Sequence, residues 1–259
     1  MNTPRFDIFK CTIMGYRSVF AERQYLMSAA LVPMALTTGI EMVKFYAVDK
    51  HTVLTALLTM LPVALAAAWF MFLQTRLLVF GERADNVAPE NAASRKQAFE
   101  ISAILWMLIQ MAGLAMLAFS LYLAREGRGD TVNPMLSIAG YLMLGCALWG
   151  VRLAIAHILG AIGYSIRQYI FKVNGAMVSL RMIGLMLAVA LPILLFSAPV
   201  EAMFFAALQA EDVTVLQVAG ATVLRVVMNF LLLAFFNAAA VFALRDMLGK
   251  NGTWQGINT

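Results

Sequence analysis

The side chains of this 259-residue chain that could do chemistry are few. Two histidines, His51 and His157, and two cysteines, Cys11 and Cys146, stand too far apart in sequence for the short spacings that gather ligands around a metal. Neither a Gly-x-Ser-x-Gly elbow for acyl transfer nor a Gly-x-x-x-x-Gly-Lys loop for phosphate occurs. Glu41 and Lys44, one helical turn apart, have the spacing of a proton or ion relay and equally of an i, i+3 pair facing an interface. The 18 methionines show no repeated pair spacing and read as adaptable packing rather than a copper path. No catalytic residue, metal site or cofactor is expected, and the chain reads as a non-enzyme. What does call for explanation is charge among apolar residues: Arg76 in "AAAWFMFLQTRLLVFGER", Arg152 in "ALWGVRLAIAHILG" and Arg245 in "FALRDMLGK".

Composition sets the medium for those charges. Apolar and aromatic residues make up 62% of the chain and charged residues 13%, against about 45–50% and about 25% in soluble domains. The apolar residues come in blocks long enough for a helix to cross about 30 Å of hydrocarbon. Six spans are expected: Tyr25–Ala47, Thr52–Phe80, Gln97–Ala124, Pro134–Gly160, Met182–Leu208 and Ala219–Leu244. The fold class is an all-α membrane bundle of about six transmembrane helices behind an N-terminal interfacial helix. Residues 1–24 form the surface helix, 25–245 the spanning domain and 246–259 a tail. The start lacks the short apolar core and small-residue cleavage site of a signal peptide, so it is expected to be retained.

Lys and Arg sort by side. The N-terminal segment carries Arg5, Lys10, Arg17 and Arg23; the gap after the second span has Arg83, Arg95 and Lys96; that after the fourth has Arg167, Lys172 and Arg181; the tail has Arg245 and Lys250. The other side holds Lys44, Lys50, Arg125 and Arg128, with no base in "QAEDVTVLQV". The positive-inside rule puts both termini in the cytoplasm. The formal net charge of +5 then reads as attraction to anionic lipid rather than to nucleic acid.

In "RFDIFKCTIMGYRSVF", Phe6, Phe9, Ile13, Tyr16 and Phe20 recur at helical spacing, with Asp7, Lys10, Arg17 and Ser18 to one side. That pattern predicts an amphipathic helix lying in the interface, with Lys10, Arg17 and Arg23 among headgroups. "YSIRQYIFKVNGAMVSLR" is a second, less periodic candidate. Arg76, Arg152 and Arg245 are expected to snorkel from the spans to the cytoplasmic headgroups, Arg152 having Glu100 as an alternative partner. Glu201 and Arg225, each about 9–11 Å beneath the outer boundary on consecutive spans, are expected to form an intramembrane ion pair. Arg23 with Pro33, and Arg181 with Pro192, outline an internal parallel repeat of a surface helix plus two spans. Paired proline-interrupted helices of this kind can flank a transporter's binding site.

A surface helix leading into a proline-bearing span, then "AWFMFLQTRLLVFGER", "YLMLGCALWGVRLAIAHILGAIG" and a basic turn with Asn174 and Gly175 before "SLRMIGLMLAVALPILL", resembles the YciC-type group of uncharacterised bacterial inner-membrane proteins. The resemblance implies six spans in a bacterial envelope and no catalytic residues. The function expected is non-enzymatic: organising or regulating envelope lipid, a membrane-protein partner or further copies of the chain. The alternative is a small transporter or permease with a polar site between the repeats. Reporter fusions at Ala88 and Gly252 should read cytoplasm and one at Gly127 periplasm; a periplasmic C-terminus would overturn the charge count.

Overall fold

The computed structural model describes residues 6–47, 53–84, 86, 91–126, 135, 138–140, 142–143, 145, 153–172, 176–208 and 214–249. Among the described residues the chain is helical, without strands. The principal helices are α1 (Ile8–Ala21), α2 (Arg23–Ala47), α3 (Val53–Phe80), α4 (Ala92–Glu126), α5 (Ala156–Ala161), α6 (Ile166–Lys172), α7 (Ala176–Leu208) and α8 (Val215–Gly249). Four stretches among them are long and apolar enough to cross a membrane: Arg23–Phe45, Thr59–Phe80, Met177–Val200 and Val215–Gly249. They coincide with the first, second, fifth and sixth expected spans, and the third lies within α4. Of the fourth, 12 of 27 residues, 146–152 among them, fall outside the described residues.

The described end of that fourth span departs from expectation. Instead of one helix running to Gly160, the chain turns at residues 153–155 and restarts as α5 after Ile155, whose φ of −97° and ψ of 6° are not helical. His157 stabilises the break, its Nδ1 lying 3.1 Å from the carbonyl oxygen of Ala154 in the turn. The segment ends in a Schellman motif, with Gly163 at a φ of 71° and the amides of Gly163 and Tyr164 donating to the carbonyls of Gly160 and Leu159.

Buried residues gather at one end of the bundle, which we call the basic end: the C-terminal halves of α3 and α8, the N-terminal parts of α4 and α7, and α1 and α5. Helix α1 begins at an Asp7 cap whose Oδ1 accepts from the Lys10 amide at 3.0 Å. Its most extensive packing is against α8, followed by α7. The aromatic stripe read from the sequence divides: Phe6 is buried and Tyr16 packs on Phe235, while the rest is exposed. Cys11, Thr12, Gly15 and Val19 are buried, while Phe9, Ile13 and Phe20 are 75%, 52% and 57% exposed. Small residues win because they allow close approach: a Cβ on Gly15 would stand 2.8 Å from the backbone nitrogen of Ala239. Burial, reinforced by Asp246, pushes the Cys11 thiol up to about 12, so it is an inert packing residue.

Tyr16 ties α1 to α7. Its hydroxyl donates to the carbonyl of Val189 at 2.8 Å, and its ring stacks on Phe235 of α8 with centroids 4.2 Å apart. Val189 lies in the turn before Pro192, where the missing proline N–H loosens the helical ladder. At the head of the helix, Arg181 donates to the Phe6 carbonyl at 2.7 Å. Gly15→Leu should therefore lower the unfolding free energy by about 1–3 kcal/mol through overpacking. Thermal melts in detergent check this, with Gly39→Leu, where a Cβ meets nothing within 4 Å, as the near-neutral control.

Candidate functional site at the basic end of the bundle

Three polar side chains in apolar runs, Gln74 and Thr75 of α3 and Asn237 of α8, are fully buried. Each must find its hydrogen bonds inside the protein or lose them. They find them in one another. Asn237 Nδ2 faces Gln74 Oε1 at 3.0 Å, Thr75 Oγ1 at 3.2 Å and the Met71 carbonyl at 3.2 Å. Gln74 Nε2 donates to the Ala234 carbonyl at 2.8 Å. His157, 1% exposed, brings α5 into the same cluster with Nε2 at 3.1 Å from Asn237 Oδ1. Its neutral ring holds one proton, which serves either Asn237 or Ala154. Trp106 of α4 meets the imidazole edge-on at 5.2 Å. The indole Nε1 of Trp106 and the hydroxyl of Ser102, one turn away, are buried with no hydrogen-bond partner among the described residues.

At the end of α3 the helix is closed by Gly81, whose φ of 68° suits glycine. That left-handed residue turns the chain so that Glu82 faces back along α3 to Arg76. The guanidinium is gripped bidentately, with Nε 2.9 Å from Glu82 Oε2 and Nη2 on Oε1. Its remaining Nη1 donates to the Ala161 carbonyl at 3.2 Å, one of the orphan carbonyls at the end of α5, and the group lies 4.2 Å from the Phe80 ring centroid. The next two residues hold the α1–α2 junction: Arg83 pairs with Glu22 at 3.0 Å, and the Ala84 amide donates to the Tyr25 hydroxyl at 3.1 Å.

The other residues singled out in the sequence have diverse surroundings. Lys10 reaches Asp246 at 3.8 Å and is largely exposed. Arg17, Arg23, Arg225 and Arg245 are exposed. They make no ion pair among the described residues. Arg76 and Arg245, both expected as anchors, thus differ: the first is clamped by Glu82, and the second makes no ion pair among the described residues. Arg152 lies outside the described residues, as does the side chain of Glu201, so the expected ion pair with Arg225 falls outside them too. Glu100 pairs loosely with Lys96 at 3.9 Å, and Lys44 meets Glu41 at 3.0 Å. Sequence reasoning missed Gln74, Thr75, Asn237 and Glu82. A signal existed, since amides and a hydroxyl inside "FLQTRLL" and "AFFNAAAVF" have no solvent to bond. Among the described residues, no group of three or more His, Cys, Asp or Glu is placed to hold a metal ion.

Compared with protein-family models, curated proteins and solved structures, the chain matches none. Asn237→Leu should strand Gln74, Thr75 and His157 at about 1–3 kcal/mol for each group left unsatisfied. Gln74→Leu with Asn237→Leu should cost less than the sum of the single changes, since the double variant removes both ends of the bond. Thermal unfolding of the four proteins in detergent measures the cycle, and additive losses would mean that the two amides do not interact.

Proposed function

We propose that this chain is a non-enzymatic, multi-pass membrane protein that organises anionic lipid at the basic end of its bundle and, through that surface, regulates partner proteins. The proposal takes in six spans, an interfacial α1, a bacterial inner-membrane setting with both termini cytoplasmic, and kinship with the YciC-type group. One observation carries it: α1 has two apolar faces. One is spent on α7 and α8. The other, Phe9, Ile13 and Phe20, is exposed and bordered by Lys10 and Arg17, which follow it around the helix. Burying each of those side chains in an acyl boundary is worth roughly 1.5–3 kcal/mol, and each nearby cation adds about 1 kcal/mol at an anionic surface. Docking on the bundle fixes the helix, so little ordering entropy opposes its insertion.

A permease has an observation of its own, the polar cluster between α3 and α8, the closing helices of the two suggested repeats. Those amides, however, bond to one another and to backbone, which leaves them little capacity for a substrate. Native mass spectrometry with crosslinking on protein taken from its membrane separates the two readings. Stoichiometric anionic lipid or a recurrent protein partner, with the lipid lost in Arg17→Glu with Arg23→Glu, is expected. A co-purifying small metabolite, with lipid occupancy unchanged in that variant, would favour transport.

A further inference from the structure

Away from α1, the start of α4 and the C-terminal half of α3 enclose a groove of about 480 Å³. Its floor is aromatic. Phe99 stands edge-on to both Trp69 and Phe72, with centroids 5.1 Å and 5.4 Å apart. Phe72 is buried, but Trp69 is 43% exposed and is not covered by the described residues. The rim is cationic. Arg95 lies one turn before Phe99 on α4, with its guanidinium carbon 6.0 Å from the Phe72 ring centroid, and Lys96 is beside it. Lys96 is shared with the carboxylate of Glu100, whereas Arg95 makes no ion pair among the described residues. Ala84 and Ala92 complete the wall with side chains too small to fill the space.

The two halves of the groove ask for different chemistry. Trp69 is eleven residues before the end of α3, so about 16 Å along the helix from it. Its ring lies 5.1 Å from Phe99, itself one turn along α4 from Arg95, so the rings and the cations lie within reach of one amphiphile. A soluble anion would use the rim and leave the rings bare; a neutral lipid would use the rings and leave Arg95 without a counter-charge. We infer that the α3–α4 groove is a binding site for one anionic membrane phospholipid, its phosphate held by Arg95 and Lys96 and an acyl chain lying on Trp69, Phe72 and Phe99. The inference rests on the lipid-organising reading above but concerns a different surface from α1. It makes the contact selective, since a site with a cation at one end and an aromatic trough at the other discriminates by headgroup.

Tryptophan makes the site directly readable. In the full chain with Trp106, Trp149 and Trp254 changed to Phe, Trp69 is the only indole of the four. Placed in phosphatidylcholine nanodiscs, it should be quenched by chain-brominated phosphatidylglycerol at about five- to tenfold lower mole fraction than by brominated phosphatidylcholine, the preference that one unpaired cation supplies when the second is shared with Glu100. Arg95→Gln with Lys96→Gln should abolish the preference while leaving quenching by the neutral lipid. Equal quenching by both lipids would overturn the inference, as would a preference that survives removal of the two cations. Loss of the preference in millimolar inorganic phosphate would mark a soluble-anion site and overturn it as well. Because Trp106 is buried and its replacement can cost the fold, native mass spectrometry of the otherwise unaltered chain provides the second measurement: one bound phosphatidylglycerol fewer is expected on Arg95→Gln with Lys96→Gln, and an unchanged count would overturn the inference. Trp69 reports on this groove alone, whereas the lipid reading at α1 stands or falls on the Arg17 and Arg23 variant, so the two fail separately.

Discussion

An amide in an apolar interior must complete its hydrogen bonds within the protein, and Asn237 is where this bundle meets that requirement. Its side chain joins α3 and α8 and takes in α5 through His157. Apolar packing alone would let two such helices rotate or slide against each other at small cost, because neighbouring leucines and alanines are nearly interchangeable. A buried amide removes that freedom, since any other register strands it. The register then decides what α8 offers elsewhere. At 3.6 residues per turn, Phe230, Ala234 and Asn237 fall on one side of α8, and Phe235, Ala239 and Asp246 fall on the other. The first side is the one that Phe70 and Gln74 meet; the second receives Tyr16, Gly15 and Lys10 of α1. Helix α8 is in this sense the axle, with α3 and α1 on opposite sides.

What the sequence made legible follows from the same physics. Long apolar runs can satisfy their backbone only as helices, so the positions of α2, α3, α7 and α8 were readable to within a few residues. Their ends were less so. Helices α7 and α8 begin before Met182 and Ala219, and α8 runs past Leu244, because outside the hydrocarbon a helix continues wherever a neighbour covers it. The existence of α1 was legible in the spacing of Phe9, Ile13 and Phe20, but its packing face of Cys11, Thr12, Gly15 and Val19 was not. A hydrophobicity pattern weighs phenylalanine above glycine and cysteine, whereas close helix contact rewards the smaller side chain. Arg76 illustrates a second limit. Its depth suggested snorkelling, and its partner is six residues away along the chain, brought back by the left-handed Gly81; a span-by-span reading has no means of seeing a turn fold back onto its own helix.

The polar residues of the basic end divide accordingly. Some are consumed in holding the elements together: Gln74, Thr75 and Asn237 in the interior, Arg76 with Glu82 at the end of α3, and Arg83 with Glu22 across to the α1–α2 junction. These contacts link three separate chain segments, and their loss would be felt as stability rather than as binding. Others are left over. Arg17, Arg23, Arg95 and Arg245 have no carboxylate opposite them among the described residues. An unpaired arginine in water costs little, so exposure by itself explains nothing.

Position gives the leftover charges their meaning. Arg17 borders an apolar stripe that the bundle does not cover, and Arg95 caps an aromatic trough that the bundle does not fill. In each case a cation and an apolar surface left uncovered by the described residues lie within reach of one amphiphile. Soluble chains avoid such pairings because water penalises the apolar half. A membrane, on the proposed reading, removes that penalty and supplies the anion. On the proposed reading the fold has two levels of polarity: an inner one, closed on itself, that fixes the helices, and an outer one, left open, whose complement is the lipid around it.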